Sequence, residues 1–224
     1  GKLYIIGTPI GNLEDVTYRA IDKLNAVDVV ACEDTRVSNR LFKKYNISCK
    51  TIIYNVFNEV RKKDEILNLL ISGLDVALIS DAGTPCISDP GYRIVNLAHK
   101  ELIDVITIPG VSAVQSSLSI CGLPTDTYFC QGFLPKKKGR HTKLIFLSNL
   151  ECTIVVFESP KRILKTLEDI KKYFGDRIVS LCKELTKIYE KVSVGKASNL
   201  IEQFKDVKIK GEHVIVIAKK KYEL

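Results

Sequence analysis

The sequence predicts a two-part α/β protein, with a mostly parallel sheet carrying helices on both faces in the first half and a mixed sheet with helices in the second. Three observations carry this reading. Near-continuous apolar runs such as "VDVVAC" and "IDVITI" alternate with amphipathic stretches as far as residue 110. After "PGVSAVQSSLSICGLP", strands follow one another without a helix between them, so the second half is not purely parallel. Charge divides at the same joint: residues 1–110 carry 13 Lys and Arg against 14 Asp and Glu, and residues 111–224 carry 21 against 12. The joint falls within 110–125, and the domains are set at 1–112 and 113–224.

Taken in order, the first half predicts strands at 2–7, 27–32, 51–55, 75–79 and 103–108, with helices at 15–25, 35–45, 59–72 and 91–99. Helix 59–72 shows the pattern well, setting Ile66, Leu67, Leu69 and Leu70 against Arg61, Lys62, Lys63, Asp64 and Glu65. Ser88 or Asp89 before Pro90 reads as a helix start, a capping side chain followed by proline at the first helical position. The second half predicts strands at 127–132, 153–158, 177–182, 188–194 and 213–219, and helices at 141–149, 160–174 and 196–205.

Composition bounds the function. With 46% apolar and 27% charged residues the chain can bury a real core. No apolar stretch is long enough for a membrane helix, and the start lacks the apolar region and cleavage site of a signal peptide, so a cytoplasmic protein is expected. Seven cysteines without a C-x-x-C pair suggest reduced thiols, and with three histidines no metal site is expected. The one-sided basic half points to a polyanionic partner, nucleic acid first.

In a parallel sheet, ligands gather beyond the carboxyl ends of the strands. Four loops there mix Gly or Pro with carboxylates or hydroxyls: "GTPIGNLED" after the first strand, "EDTR" after the second, "SDAGTPCISDPG" after the fourth and "PGVSA" after the fifth. Neither a dinucleotide fingerprint nor a phosphate loop is present. Gly83 frees the backbone to approach a ligand and Pro85 stiffens it. Asp81 faces either a cationic or hydroxyl-bearing ligand or the loop's own amides in an Asx-turn.

The order of "LYIIGTPIGNLEDVTYRAIDKL", "ACEDTR", "ALISDAGTPCISDPGY", "PGVSA", "GFLPKKKGR", "FESPKR", "KELTKIYE" and "GEHVIVI" resembles, end to end, the ribosomal RNA small subunit methyltransferase I family of the tetrapyrrole-methylase superfamily. "YNVFNE" at 54–59 and "HV" after Glu212 are less typical of it. The resemblance implies a two-domain tetrapyrrole-methylase-like fold with S-adenosylmethionine in the cleft between domains. It also implies a homodimer, and methyl transfer to the ribose 2′-hydroxyl of a decoding-centre cytidine in 16S ribosomal RNA, within the small subunit. Two other classes stay open. A tetrapyrrole methyltransferase predicts a deep pocket without an exposed lysine run, and a non-enzymatic RNA-binding module predicts no cofactor.

By that resemblance the cofactor lies against Pro9, Asp81, Ala82, Gly83, Ser112 and Ala113, with Phe157, Leu185, Gly211, Glu212 and His213 of the second domain closing over the adenine. A proton acceptor for the hydroxyl is sought among Asp34, Asp81, Glu158, Glu184 and Glu190. Asp81, Glu158 and Asp34 are the catalytic candidates, Glu158 because it ends a strand beside cations. Lys136, Lys137, Lys138, Arg140 and Lys143 crowd the loop after "GFLP" in the basic half, near Phe129 and Phe133, and are expected to bind RNA. Arg162 and Lys187 follow as phosphate contacts.

Overall fold

A computed structural model describes all of residues 1–224. The chain divides into two compact units, Gly1–Ser112 and Ala113–Leu224. The first unit runs β1 (Leu3–Ile6), α1 (Tyr18–Ala26), β2 (Val29–Cys32), α2 (Thr35–Tyr45), β3 (Lys50–Ile53), α3 (Glu59–Ile71), β4 (Val76–Leu78), α4 (Tyr92–Lys100) and β5 (Val105–Ile108). Its sheet has the order β3-β2-β4-β1-β5 and every pairing is parallel.

The chain steps outward from β1 to β2 and β3, then returns through β4 to β5. Because crossovers between parallel strands are right-handed, the reversal sends the helices to opposite faces. Ala20 and Leu24 of α1 and Leu41 and Phe42 of α2 pack with Val30 and Cys32 on one face. Ile66 and Leu70 of α3 and Ile94 and Ala98 of α4 pack with Val29 and Ala31 on the other. Alternate residues of one strand thus feed two cores. That explains why β2 and β4 are buried throughout and read as unbroken apolar runs.

Two local expectations change. Helix 15–25 begins later, at Tyr18, because the Thr17 side chain accepts from the Ala20 N–H, and a 3-10 turn at Leu13–Asp15 precedes it. "SDPG" is not a capping signal: α4 starts after Gly91, which sits at φ 142 and offers no side-chain cap. A Cβ at Gly91 would lie 2.5 Å from Cys86 Sγ and 2.8 Å from Leu78 Cδ2, so close packing selects glycine there. Asp89 is thereby free for another role.

The second unit contains α5 (Ala113–Ile120), β6 (Tyr128–Phe133), α6 (Arg140–Ser148), β7 (Thr153–Glu158), α7 (Ile163–Phe174), β8 (Ile178–Lys183), β9 (Lys191–Lys196), α8 (Ala197–Phe204) and β10 (His213–Ile217). Its sheet order is β6-β7-β10-β8-β9, parallel only between β6 and β7. Leu144, Leu147, Ile163, Leu167 and Leu200 from α6, α7 and α8 cover one face. The other face receives α5, which packs on β10 and brings the Ser117 carbonyl near Cys182 Sγ. Helix α5 is not expected from the sequence, because "AVQSSLSI" has no charged stripe to set against its apolar side. All seven cysteines are free thiols. No helix is long and apolar enough to cross a membrane.

Candidate functional site

The loops at the carboxyl edge of the first sheet are tied to one another. Thr8 N–H donates to Gly83 O at 2.8 Å and Gly83 N–H returns to Thr8 O at 3.0 Å, joining the β1 and β4 loops. Thr8 Oγ1 also donates to Ser80 O at 3.1 Å, and Thr84 Oγ1 to Val111 O at 3.4 Å. Gly7 and Gly110 cross so closely that a Cβ on Gly7 would sit 2.8 Å from Gly110 Cα. Pro9 is buried, while Asp81 and Ala82 are exposed and Ser112 and Ala113 half-buried. Gly83 adopts φ +85, and a Cβ there would reach Ile10 Cγ2 at 3.5 Å and Val111 O at 3.7 Å. The missing side chain leaves a small cradle bounded by three loops. Of seven non-glycine residues at positive φ, Cys86, Ser88, Glu184 and Thr186 lie in just two loops, a concentration of backbone strain typical of working sites.

Sequence reasoning picked out Asp81 here but missed its neighbours Glu33 and Asp89. Asp81 makes no Asx-turn: its Oδ1 accepts from the Asp34 N–H at 3.0 Å, and its own N–H donates to the Glu33 carboxylate. Burial, with Asp89 and Asp81 close by, pushes Glu33 up to about 7. Burial and the Asp34 charge likewise raise Asp81. Burial and the Asp81 charge raise Asp89, which also bonds Ser80. Asp34 differs. It caps α2, clasps the Arg36 guanidinium at 2.6 Å and falls to about 2, which makes it a poor proton acceptor. Glu33 follows the fully buried β2, but the nearness of Asp81 and Asp89 that sets its proton affinity comes only with the fold.

A carboxyl raised in the folded state keeps its proton more tightly folded than unfolded, so stability falls as pH climbs from 4.5 to about 7. Glu33→Gln removes that load. It is expected to raise the melting midpoint at pH 8 by roughly 2–4 °C and to leave it nearly unchanged at pH 4. Differential scanning calorimetry at both pH values checks this; equal midpoints at pH 8 would mean that solvent already screens the cluster.

In the second unit the structure corrects several expectations. Glu158 is not an available base. Its side chain is 0% exposed, with Arg162 Nη2 at 2.6 Å, the Thr166 hydroxyl donating at 2.7 Å and Arg140 Nη1 at 4.0 Å. Arg140 is not an open cation either: it is buried, and its donors go to Asp169, Thr166 and the Pro135 carbonyl. Arg162 is similarly committed, reaching Ser159 Oγ and the Leu134 carbonyl besides Glu158. Lys187 is balanced between Glu184 at 3.1 Å and Glu212 at 2.8 Å.

Around Lys187, the 184–190 loop is closed on the 211–213 segment. Glu184 Oε1 accepts from the Glu212 N–H at 2.8 Å, and Gly211 at φ +86 leaves no room for a Cβ, which would fall 2.6 Å from Glu184 Cδ. Hydrogen bonds from Glu212 and Lys187 hold Glu184 below its usual range. Glu190 Oε2 accepts from the Thr186 N–H. Leu185 and His213 are buried; burial lowers His213, whose Nδ1 lies 3.0 Å from the Gly211 carbonyl. Phe157 is half-buried against Phe133. The remaining basic candidates behave differently. Lys136, Lys137 and Lys138 are exposed, and none joins an ion pair of this unit. Lys143 lies over the Phe146 ring at 5.2 Å.

Comparison with known proteins gives this arrangement its family. Residues 2–201 match the family model described as Tetrapyrrole (Corrin/Porphyrin) Methylases. The Thermotoga maritima protein named Ribosomal RNA small subunit methyltransferase I is 44% identical, covering 98% of this chain and 99% of that one. The Vibrio cholerae protein of the same name is 43% identical over 96% of this chain and 76% of its own. Among solved structures, a cobalt precorrin-4 methyltransferase superposes with TM-score 0.70 at 21% identity, covering 97% of this chain and 94% of that one. A diphthine synthase reaches TM-score 0.75 at 13% identity, covering 99% and 90%. At those identities the structural likeness speaks for the fold alone. The full-length sequence likeness goes further: this chain is a tetrapyrrole methylase-fold protein and belongs to the ribosomal RNA small subunit methyltransferase I family.

Proposed function

We propose that this protein transfers a methyl group from S-adenosylmethionine to the ribose 2′-hydroxyl of a decoding-centre cytidine in 16S ribosomal RNA, presented in the small subunit. The observation that carries the reading is the 44% identity over 98% of the chain to a protein named for methylation of small-subunit ribosomal RNA. Two structural features support it. The first unit offers main-chain atoms around Gly83 beside the exposed Asp81 carboxylate, and the second offers three lysines with no partner in the protein.

The cofactor, when bound, supplies an activated methyl group on a sulfonium. Its chemistry suits the residues present: Pro9, Ala82, Gly83, Ser112 and Ala113 offer apolar and main-chain surface, and Asp81 offers a carboxylate to a cationic ligand. Holding the hydroxyl oxygen in line with the methyl carbon lowers the barrier by positioning. Asp81, with Glu33 behind it, is the group we assign to take the hydroxyl proton. Burial raises the proton affinity of both above that of ordinary carboxylates, helped by the Asp34 charge at Asp81 and by Asp89 and Asp81 at Glu33.

The reading is tested with labelled S-adenosylmethionine and unmodified small ribosomal subunits. Label in an alkali-resistant cytidine linkage is the expected result. Cofactor binding without transfer to subunits or free RNA overturns it and directs attention to tetrapyrrole acceptors. A second expectation concerns the lysines. For single strands each phosphate contact contributes about 0.7 to the slope of log affinity against log salt. Replacing Lys136, Lys137 and Lys138 together with Ala is therefore expected to flatten the slope by up to about 2, measured by filter binding across a salt series. An unchanged slope removes them from the RNA interface.

A further inference from the structure

Phe133 ends β6, the edge strand of the second sheet, and is 61% exposed. Its ring is not loose. It meets the Phe157 ring edge-on, with centroids 5.6 Å apart and planes at 61°, and the two residues are register partners across the β6–β7 pair. An exposed aromatic alone needs no explanation. This one stands immediately before a loop whose path is nailed down from beneath. Arg162 Nη1 holds the Leu134 carbonyl and Arg140 Nη1 the Pro135 carbonyl, each at 3.2 Å, and both guanidinium groups converge on buried Glu158. The next three residues are the exposed lysines that pair with nothing. A backbone anchored at Leu134 and Pro135 thus joins an exposed aromatic ring to three unpaired lysines in the following residues, and the anchored part loses little entropy on binding.

We propose that Phe133 is a stacking platform for an unpaired base of the RNA strand, with Lys136, Lys137 and Lys138 taking phosphates next to it. The inference rests on the RNA reading above and adds which feature of the RNA is recognised. Aromatic faces flanked by cations suit single strands, because every unpaired base offers a π-face whereas a duplex hides its own. Charge argues for this occupant over a second copy of the chain, since two such lysine loops brought together repel. Arg140, Arg162 and Glu158 become positioning residues that present the loop.

The chain has no tryptophan, so Phe133→Trp places a single indole at the platform. Its fluorescence is expected to be quenched by a single-stranded oligocytidine and to respond far less to an RNA duplex of equal length. Stacking contributes about 1–3 kcal/mol per base, so Phe133→Ala is expected to raise KM for small subunits roughly 10-fold. Its kcat, cofactor affinity and melting midpoint should stay near wild type, and Phe133→Tyr should retain the wild-type KM. Indole emission indifferent to single strands, or a wild-type KM in Phe133→Ala while wild-type protein methylates subunits, overturns the stacking proposal and leaves the RNA reading intact. If wild-type protein transfers no methyl to subunits, it is the RNA reading that fails, and the fluorescence titration then decides the stacking alone. A smaller sedimenting species for Phe133→Ala with unchanged RNA affinity overturns the proposal in favour of contact between copies.

Discussion

Replacing Glu158 with Ala is expected to destabilise the protein by about 3–5 kcal/mol, the usual consequence of removing one partner from a buried charge network. The carboxylate is wholly buried and is shared by Arg162 at 2.6 Å and Thr166 at 2.7 Å. Its removal leaves the Arg162 guanidinium, 19% exposed, with only Ser159 Oγ and a carbonyl for company. Arg140 suffers less because Asp169 still accepts from its Nε at 2.8 Å. Glu158→Gln keeps the shape and some of the hydrogen bonds, so its loss should be intermediate. Urea unfolding of both variants measures the difference. A Glu158→Ala protein within 1 kcal/mol of wild type would mean that water reaches the two guanidinium groups and that the network contributes little.

Asp81→Asn is expected to lower kcat roughly 100-fold or more, within the range that positioned general bases contribute. The wild-type rate should climb with pH as the coupled carboxylates lose their protons, the slower of them near the value of about 7 to which Glu33 is pushed. The same substitution removes one of the charges that raise Glu33, so the remaining limb of the profile should move to lower pH. Single-turnover rates across pH, with calorimetry of cofactor binding alongside, separate the possible outcomes. Loss of cofactor affinity with kcat intact would make Asp81 a cofactor ligand and not a base. An unchanged rate and affinity would remove it from the site.

The fold was legible wherever burial is two-sided or strongly amphipathic. Strands β2, β4 and β10 are buried along their whole length, and such runs announce themselves. Helix α5 was not legible, since small residues packed on a sheet carry no polar stripe. The exposure of the lysine loop and of Asp81 was legible because glycine, proline and charge in a strand-end loop are local signals. The proton affinity of Glu33 was not, because it depends on Asp81 and Asp89, 48 and 56 positions away along the chain. Which basic residues stay uncommitted was not legible for a similar reason. Arg140, two residues beyond Lys138, looks like one more cation in the run, yet it is buried and spent on Asp169 and Thr166.

What the sequence by itself determined was the alternation of elements, the change from a parallel to a mixed sheet, and the family. These are properties of neighbouring residues: periodicity, turn chemistry and motif order act over a few positions. Tertiary structure alone decided which charges are available. A carboxylate or a guanidinium has one formal charge wherever it stands, but its proton affinity and its reach depend on burial and on partners supplied by distant segments. Glu158 and Asp81 were equal candidates as strand-end acids, and only folding buried the first between two arginines and left the second open beside a glycine cradle.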